Sequence, residues 1–287
     1  MPNLDLRQAW GDLLRRRAAL APSLEAYAAI IERWASEAPA IRPLAWSSEE
    51  CRARWTLGVP LLADALPPLS AEDLEDTLGE AMESLAAADE TLAPGLQRLA
   101  EAWDSGDVVP ESLLPARGRL GSGAAETASG LRPGVIGFLA CVTLRPTLDA
   151  YVAPVRAHLG AGDWMLGVCP FCGAPPGFVD VVEGGHRRLA CHFCGSAWIF
   201  AKLRCPFCGI EGTKDMARLS AEDGDAGYLI VGCRQCHAYL KELDRRERWN
   251  GGPAIVEDWG SPHLDVIAHR QGFWRGVPSL LQLAAGA

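Results

Sequence analysis

Cys169-Pro170-Phe171-Cys172-Gly173, Cys191-His192-Phe193-Cys194-Gly195, Cys205-Pro206-Phe207-Cys208-Gly209 and Cys233-Arg234-Gln235-Cys236-His237 carry eight of the ten cysteines of this 287-residue chain. Residues 173–190, 195–204 and 209–232 separate the pairs. Two Cys-x-x-Cys pairs about 15–20 residues apart are the spacing of a tetrahedral thiolate site, and here that spacing occurs twice. Cysteines three apart share one tight turn with both sulfurs facing a common centre, and the N–H groups of the turn can hydrogen-bond the thiolates. Glycine follows three of the pairs and permits positive φ; His237 takes its place in the fourth.

The intervals decide how the pairs combine. Phe178-Val179-Asp180-Val181-Val182, Glu183-Gly184-Gly185-His186 and Arg187-Arg188-Leu189-Ala190 read as a hairpin. Tyr228-Leu229-Ile230-Val231, after the Asp223-Gly224-Asp225 turn, places strand-like sequence in the third interval, and Trp198-Ile199-Phe200-Ala201 is a further run. A hairpin brings the knuckles at its two ends together. One site is therefore expected from Cys169, Cys172, Cys191 and Cys194, and a second from Cys205, Cys208, Cys233 and Cys236. Thioredoxin-like dithiol chemistry needs a cysteine at a helix start, and no helical pattern follows these pairs. With four sulfurs completing each tetrahedron, His192 and His237 read as turn surface. Cys51 and Cys141, in helical context, read as small buried apolar residues.

Four thiolates suit zinc or a rubredoxin-type iron, and the spacing alone leaves the two open. Such a site would organise a module with little core of its own; one-electron transfer would require iron. Formal net charge is −9, from 27 basic and 36 acidic residues, which disfavours a nucleic-acid partner. A nucleic-acid-binding zinc ribbon is disfavoured further. Basic and acidic residues nearly cancel between 165 and 250, and each zinc tetrathiolate would add a charge of about −2. Glycine-rich phosphate loops, nucleophile elbows and His-Glu-x-x-His are absent from the sequence, so an enzyme is not expected.

The first half reads as helix, with core faces at Trp10, Leu13, Leu14 and Leu20, at Leu24, Tyr27, Ile30, Ile31 and Trp34 behind a Ser23 cap, and at Leu74, Leu78, Met82 and Leu85 behind a Ser70/Asp73 capping box. Leu92, Leu96, Leu99 and Trp103 continue the pattern. Residues 105–133 read as a long connection, followed by a helix from about Gly134 to His158. Beyond Gly251-Gly252-Pro253 one amphipathic helix is expected, carrying Leu264, Ile267 and Phe273. The expected class is α+β: a helical domain over 1–160, a double four-cysteine module over 161–250 with sites at 169–194 and 205–236, and a helical tail over 251–287. The longest apolar run, Val135 to Leu144, falls short of the ~20 residues of a membrane span. The start, Met1-Pro2-Asn3-Leu4-Asp5, lacks the layout of a secretory signal, and only residues 18–21 separate Arg15-Arg16-Arg17 from Pro22, too few for an export signal. A cytoplasmic protein with cysteines as metal ligands is the expectation.

The ordered knuckles, Leu189-Ala190-Cys191-His192-Phe193-Cys194 with Trp198 beyond it, and the closing Cys233-Arg234-Gln235-Cys236-His237-Ala238-Tyr239-Leu240-Lys241 together resemble the formate dehydrogenase accessory protein FdhE family. Val256-Glu257-Asp258, His263-Leu264-Asp265, Gly272-Phe273-Trp274-Arg275 and a Pro60-Leu61-Leu62 patch are similar as well, whereas Trp259-Gly260-Ser261-Pro262 departs from the family pattern. The resemblance implies rubredoxin-like iron sites held by the eight paired cysteines. It also implies a cytoplasmic maturation factor that contacts the catalytic subunit of a respiratory formate dehydrogenase without joining the finished enzyme. A small electron-transfer protein and a zinc-ribbon nucleic-acid binder are the alternatives.

Overall fold

A computed structural model describes residues 6–36, 39–116, 118–120, 123–221 and 225–280. The start at Met1 to Asp5 and the Asp223-Gly224 turn lie outside the described residues. Helices α1 (Leu6–Arg16), α2 (Ala21–Leu24), α3 (Ala28–Ser36), α4 (Ser48–Thr56), α5 (Ala71–Ala88), α6 (Ala93–Asp104) and α7 (Gly123–Ser129) share one apolar core with α8 (Pro133–Val152), on which α5 and α7 pack directly. Apolar side chains line α8 on nearly every side, and a helix apolar all round belongs in a core. With the turn that follows it, the segment Pro133–His158 is long and apolar enough to cross a membrane, but 83% of its apolar window is buried inside the fold. Pro146 lies within α8 and offers no N–H to the carbonyl of Val142. The Trp34 indole N–H donates to that carbonyl instead, at 2.9 Å, and so ties α3 to α8.

Several local expectations change. Ser23 lies inside α2, and the expected single helix is divided by a tight turn at Glu25–Tyr27, although Leu24, Tyr27, Ile30, Ile31 and Trp34 are all buried. Ser70 precedes α5 without capping it, while Ser47 and Glu50 form a complete capping box on α4. In the expected connection, Pro110–Leu113 forms a short 3-10 turn and α7 follows.

The second half is one seven-stranded sheet: β1 (Phe178–Val181), β2 (Arg187–Ala190), β3 (Ala197–Phe200), β4 (Met216–Leu219), β5 (Tyr228–Cys233), β6 (Ala238–Asp244) and β7 (Trp274–Arg275). Strands β1 to β3 form an antiparallel ribbon, β4 to β6 form another, and β1 runs parallel to β6 where the ribbons join. The order β3-β2-β1-β6-β5-β4 repeats the same triplet. The second ribbon therefore continues the first in the same orientation, and all four cysteine knuckles fall at one end of the sheet. Side chains alternate faces along a strand. Val179, Leu189 and Leu240 join the helical core; Phe178, Ala190 and Tyr239 join a smaller cluster with Leu264 and Ala268.

The tail forms two helices, α9 (Ala254–Trp259) and α10 (Pro262–Arg270), and Phe273 lies beyond them on the approach to β7. Trp259 enters the helical core, its ring 4.5 Å from Tyr27 and 5.1 Å from Trp34. The two ribbons also abut at their knuckles, where a Cβ on Gly167 would stand 1.8 Å from the carbonyl oxygen of Pro206. Gly167→Ala is therefore expected to lower stability by about 1–3 kcal/mol, the usual cost of overpacking. Thermal unfolding checks it, and an unchanged melting temperature would show that the junction can spread freely.

Candidate metal centre

The structure assembles the eight cysteines as two tetrads, first pair with second and third with fourth, the sulfurs of each all within 4.8 Å of one another. In the first tetrad Cys169 and Cys194 sulfurs are 3.5 Å apart and Cys172 and Cys191 3.4 Å; in the second, Cys205–Cys236 and Cys208–Cys233 are both 3.7 Å. A tetrahedron with metal–sulfur bonds of ~2.3 Å has sulfur–sulfur edges of about 3.8 Å, whereas a disulfide brings sulfurs to ~2.05 Å. The donor set and spacing fit a four-coordinate thiophilic ion in each tetrad.

The knuckles share one backbone design. Gly173, Gly195, Gly209 and His237 donate to the carbonyls of Cys169, Cys191, Cys205 and Cys233 at 2.9–3.1 Å. The three glycines have φ of 76°, 69° and 79°, and His237, at 58°, is the only non-glycine with positive φ among the described residues. The turn imposes the same conformation on the fourth knuckle without the glycine. His237 is exposed, as expected of turn surface.

His192 is not turn surface. It is 1% exposed, and its Nε2 lies 2.8 Å from Asp258 Oδ2. Burial holds its pKa below the ordinary histidine range despite the neighbouring carboxylate, so a neutral ring donates from Nε2. The position is buried because the helical half closes over the first tetrad. Trp55 and Leu61 donate to the Pro170 carbonyl at 3.0 and 3.1 Å, and Leu62 donates to that of Phe171 at 2.9 Å. The Pro60-Leu61-Leu62 patch thus grips the first knuckle through its backbone. From the other side, Arg145 donates to the His192 carbonyl, and Arg156 donates to the Cys194 carbonyl and to Ser196 Oγ. Cys141 is buried as expected, within electrostatic reach of Cys191 and Cys194.

Four thiols so enclosed compete for negative charge. Burial pushes Cys169 and Cys172 well above the usual thiol range. Burial opposes ionisation of Cys194 too, but hydrogen bonding with Cys169, Cys172, Cys191 and Ser196 outweighs it and holds its pKa well below that range. Of these three, only Cys194 favours the thiolate, and bringing Cys169 and Cys172 to the same state in a dry core calls for a cation to balance the charge. The first tetrad packs into a core it does not build itself, because all four cysteines belong to the apolar cluster of the helices. The second tetrad is more open, with Cys208 exposed and Cys236 half-buried. Buried Arg187 approaches it, donating to the Arg204 carbonyl at 3.1 Å just ahead of Cys205.

A buried ionic cluster, unforeseen from the spacing of cysteines, joins these parts. Asp258 receives Lys241 Nζ at 3.0 Å, Arg275 and His192. Lys241 also meets Asp265 at 2.9 Å, Arg275 meets Asp265 at 2.9 Å, and the Tyr239 hydroxyl donates to Asp265 at 2.7 Å. The cations Arg275 and Lys241 and the bond from His192 outweigh the burial of Asp258 and hold its carboxyl far below the usual range. Next to it, Glu257 accepts from Tyr228 and from Arg16 of α1. The tail residues Glu257, Asp258, Asp265 and Arg275 are therefore clamps. Their signal in the sequence is a set of charged residues inside otherwise apolar segments.

No family model matches the chain. Curated relatives do. The chain is 34% identical over 124 residues to a protein described as "Protein FdhE homolog" from Stutzerimonas stutzeri (strain A1501), covering 42% of this chain and 39% of that relative. It is 25% identical over 256 residues to the homolog from Pseudomonas putida (strain KT2440), covering 85% and 70%. With the Pseudomonas aeruginosa (strain PAO1) homolog, identity is 30% over 169 residues, covering 50% of this chain and 51% of the relative. The matched stretches thus span between about two-fifths and seven-tenths of these relatives' lengths. The solved structure described as the crystal structure of the FdhE protein from Pseudomonas aeruginosa superposes with a TM-score of 0.63 at 22% identity, covering 98% of this chain and 96% of that one, a likeness of fold.

Two variants test the site's construction. Asp258→Ala leaves Lys241 and Arg275 with one buried carboxylate between them and is expected to cost about 3–5 kcal/mol in chemical denaturation; a loss below about 1 kcal/mol would remove the cluster's clamping role. His237→Gly is expected to preserve the fold and raise stability by up to about 1 kcal/mol, whereas His237→Val lowers it, because a β-branched residue resists positive φ. Equal melting temperatures for the two would contradict the shared knuckle geometry.

Proposed function

We propose, from its likeness to the FdhE homologs, that this chain is an FdhE-family protein and a cytoplasmic maturation factor for a respiratory formate dehydrogenase. In this reading it docks onto the immature catalytic subunit through a fold carrying two four-cysteine metal sites. Rubredoxin-type iron is the favoured occupant and zinc the alternative. Cys169, Cys172, Cys191 and Cys194 hold one ion, and Cys205, Cys208, Cys233 and Cys236 the other. An ion in either site supplies cross-linking and, if it is iron, a one-electron couple. Arg145 and Arg156 offset the thiolate charge at the first site, and Arg187 does so at the second.

The observation that carries this reading is where the family-like residues sit. The four knuckles, Leu61 and Leu62, Lys241, Glu257, Asp258, Asp265 and Arg275 are distant in sequence, yet they form one connected framework from knuckle to tail. That supports a role resting on the shared architecture, and none of these residues is assigned a catalytic part. Deleting the gene is expected to abolish formate dehydrogenase activity while the enzyme's subunits are still made; normal activity in the deletion strain would end the reading. Anaerobically purified protein with two equivalents of iron, reddening on air oxidation, and retention of the catalytic subunit on affinity-tagged protein are the accompanying expectations. A colourless protein with two equivalents of zinc would assign zinc and remove electron transfer.

A further inference from the structure

The two tetrads share a local design and differ in their surroundings. The sulfurs of Cys169, Cys172, Cys191 and Cys194 belong to residues at most 2% exposed, all within the main apolar cluster. None of Cys205, Cys208, Cys233 and Cys236 joins either apolar cluster, and Cys208 is open to solvent. The cover of the second tetrad is thin. Trp274, 48% exposed, donates its indole N–H to the Cys236 carbonyl at 2.6 Å, and its ring lies 5.8 Å from that of Phe207 in the opposite knuckle. Its own backbone N–H donates to the His237 carbonyl at 2.7 Å, while the next residue, Arg275, is anchored in the buried ionic cluster. A firmly held strand thus lays one aromatic ring across the rim of the second tetrad and leaves the Cys208 side uncovered.

Resting on the metal-binding reading above, we infer that the first tetrad is a permanent fixture of the core and that the second is exchangeable, opening through Cys208 to a thiolate-bearing partner that delivers or removes its ion. Ligand exchange at a closed tetrahedron requires one protein sulfur to give way to an incoming donor. Cys208 is the sulfur an outside donor can reach. Its bond to the ion breaks as the partner's thiolate bonds to the ion, and the released Cys208 thiolate takes up a proton from water; no electrons change hands. At the first tetrad the same exchange requires α4, α8 and the 60–62 segment to lift away, an opening that approaches unfolding of the core. Trp274 limits access from the Cys236 side.

The test uses the full chain loaded with two equivalents of zinc and challenged with a chromophoric pyridylazo chelator, with and without dithiothreitol. Two phases of one equivalent each are expected, the first at least about 100-fold faster, as when one site opens locally and the other only with its core. Dithiothreitol accelerates the first phase alone, and Trp274→Ala speeds it several-fold while leaving the second unchanged. In wild-type protein, alkylation read by mass spectrometry marks Cys208 and its three partners in step with the first phase and spares Cys169, Cys172, Cys191 and Cys194. Release of both equivalents in one phase, early labelling of the first tetrad, or a first phase indifferent to dithiothreitol overturns the inference while leaving metal binding intact. A chain that retains no ion under any loading condition overturns the metal reading itself.

Discussion

Asp258 is fully buried, and the rest of the fold is arranged around keeping it charged. Its carboxylate is reached by Lys241 from the sheet, Arg275 from the last strand and His192 from the second cysteine knuckle. Each comes from a different part of the chain, so one charge decides how knuckle, sheet and tail meet. A buried carboxylate tolerates no vacant position around it, since an unpaired charge in a dry core is strongly destabilising. Apolar packing alone would let the tail slide by a residue at modest cost; the ionic cluster does not. The same geometry fixes Arg275, and through it places Trp274 at the rim of the second tetrad.

The chemistry of the knuckles was legible because it is local. Cysteines three apart with glycine next to them specify a turn whatever surrounds it, and residues 173–190 and 209–232 carry the strand patterns that bring paired turns together. The helical stripes were legible for the same reason: Ile30, Ile31 and Trp34, or Leu74, Leu78 and Leu85, declare a buried face by spacing. What was not legible depends on distant partners. His192 sits on a turn, where histidine is ordinarily solvated, and becomes buried only because Asp258 and Arg145 approach from far along the chain. The Ser70/Asp73 pattern had the right letters for a capping box, yet the bond forms at Ser47 and Glu50. The fusion of two ribbons through parallel β1 and β6 has no signature in either strand.

The stretch Trp259-Gly260-Ser261-Pro262 also has a physical account. Trp259 fills an aromatic pocket of Tyr27, Trp34 and Phe138, and Gly260 lets Leu13 approach so closely that a Cβ there would stand 2.3 Å from it. Large ring and absent side chain are complementary, one filling the core and the other admitting α1. Arg16 of that helix then reaches Glu257, so the beginning of the chain is fastened to the tail beside the ionic cluster.

Two copies of one local motif therefore sit in opposite environments. A metal tetrathiolate carries net negative charge, and its surroundings set both its stability and its access to other donors. Around the first tetrad, two arginines supply hydrogen bonds and positive charge while helices exclude water, a combination that favours retention. Around the second, Arg187 stands on the inner side, Trp274 on one rim, and solvent reaches Cys208. The knuckle turns are nearly superimposable in their backbone hydrogen bonds, so the difference cannot originate in them. It comes from position in the sheet, because the first ribbon abuts the helical core and the second lies beyond it.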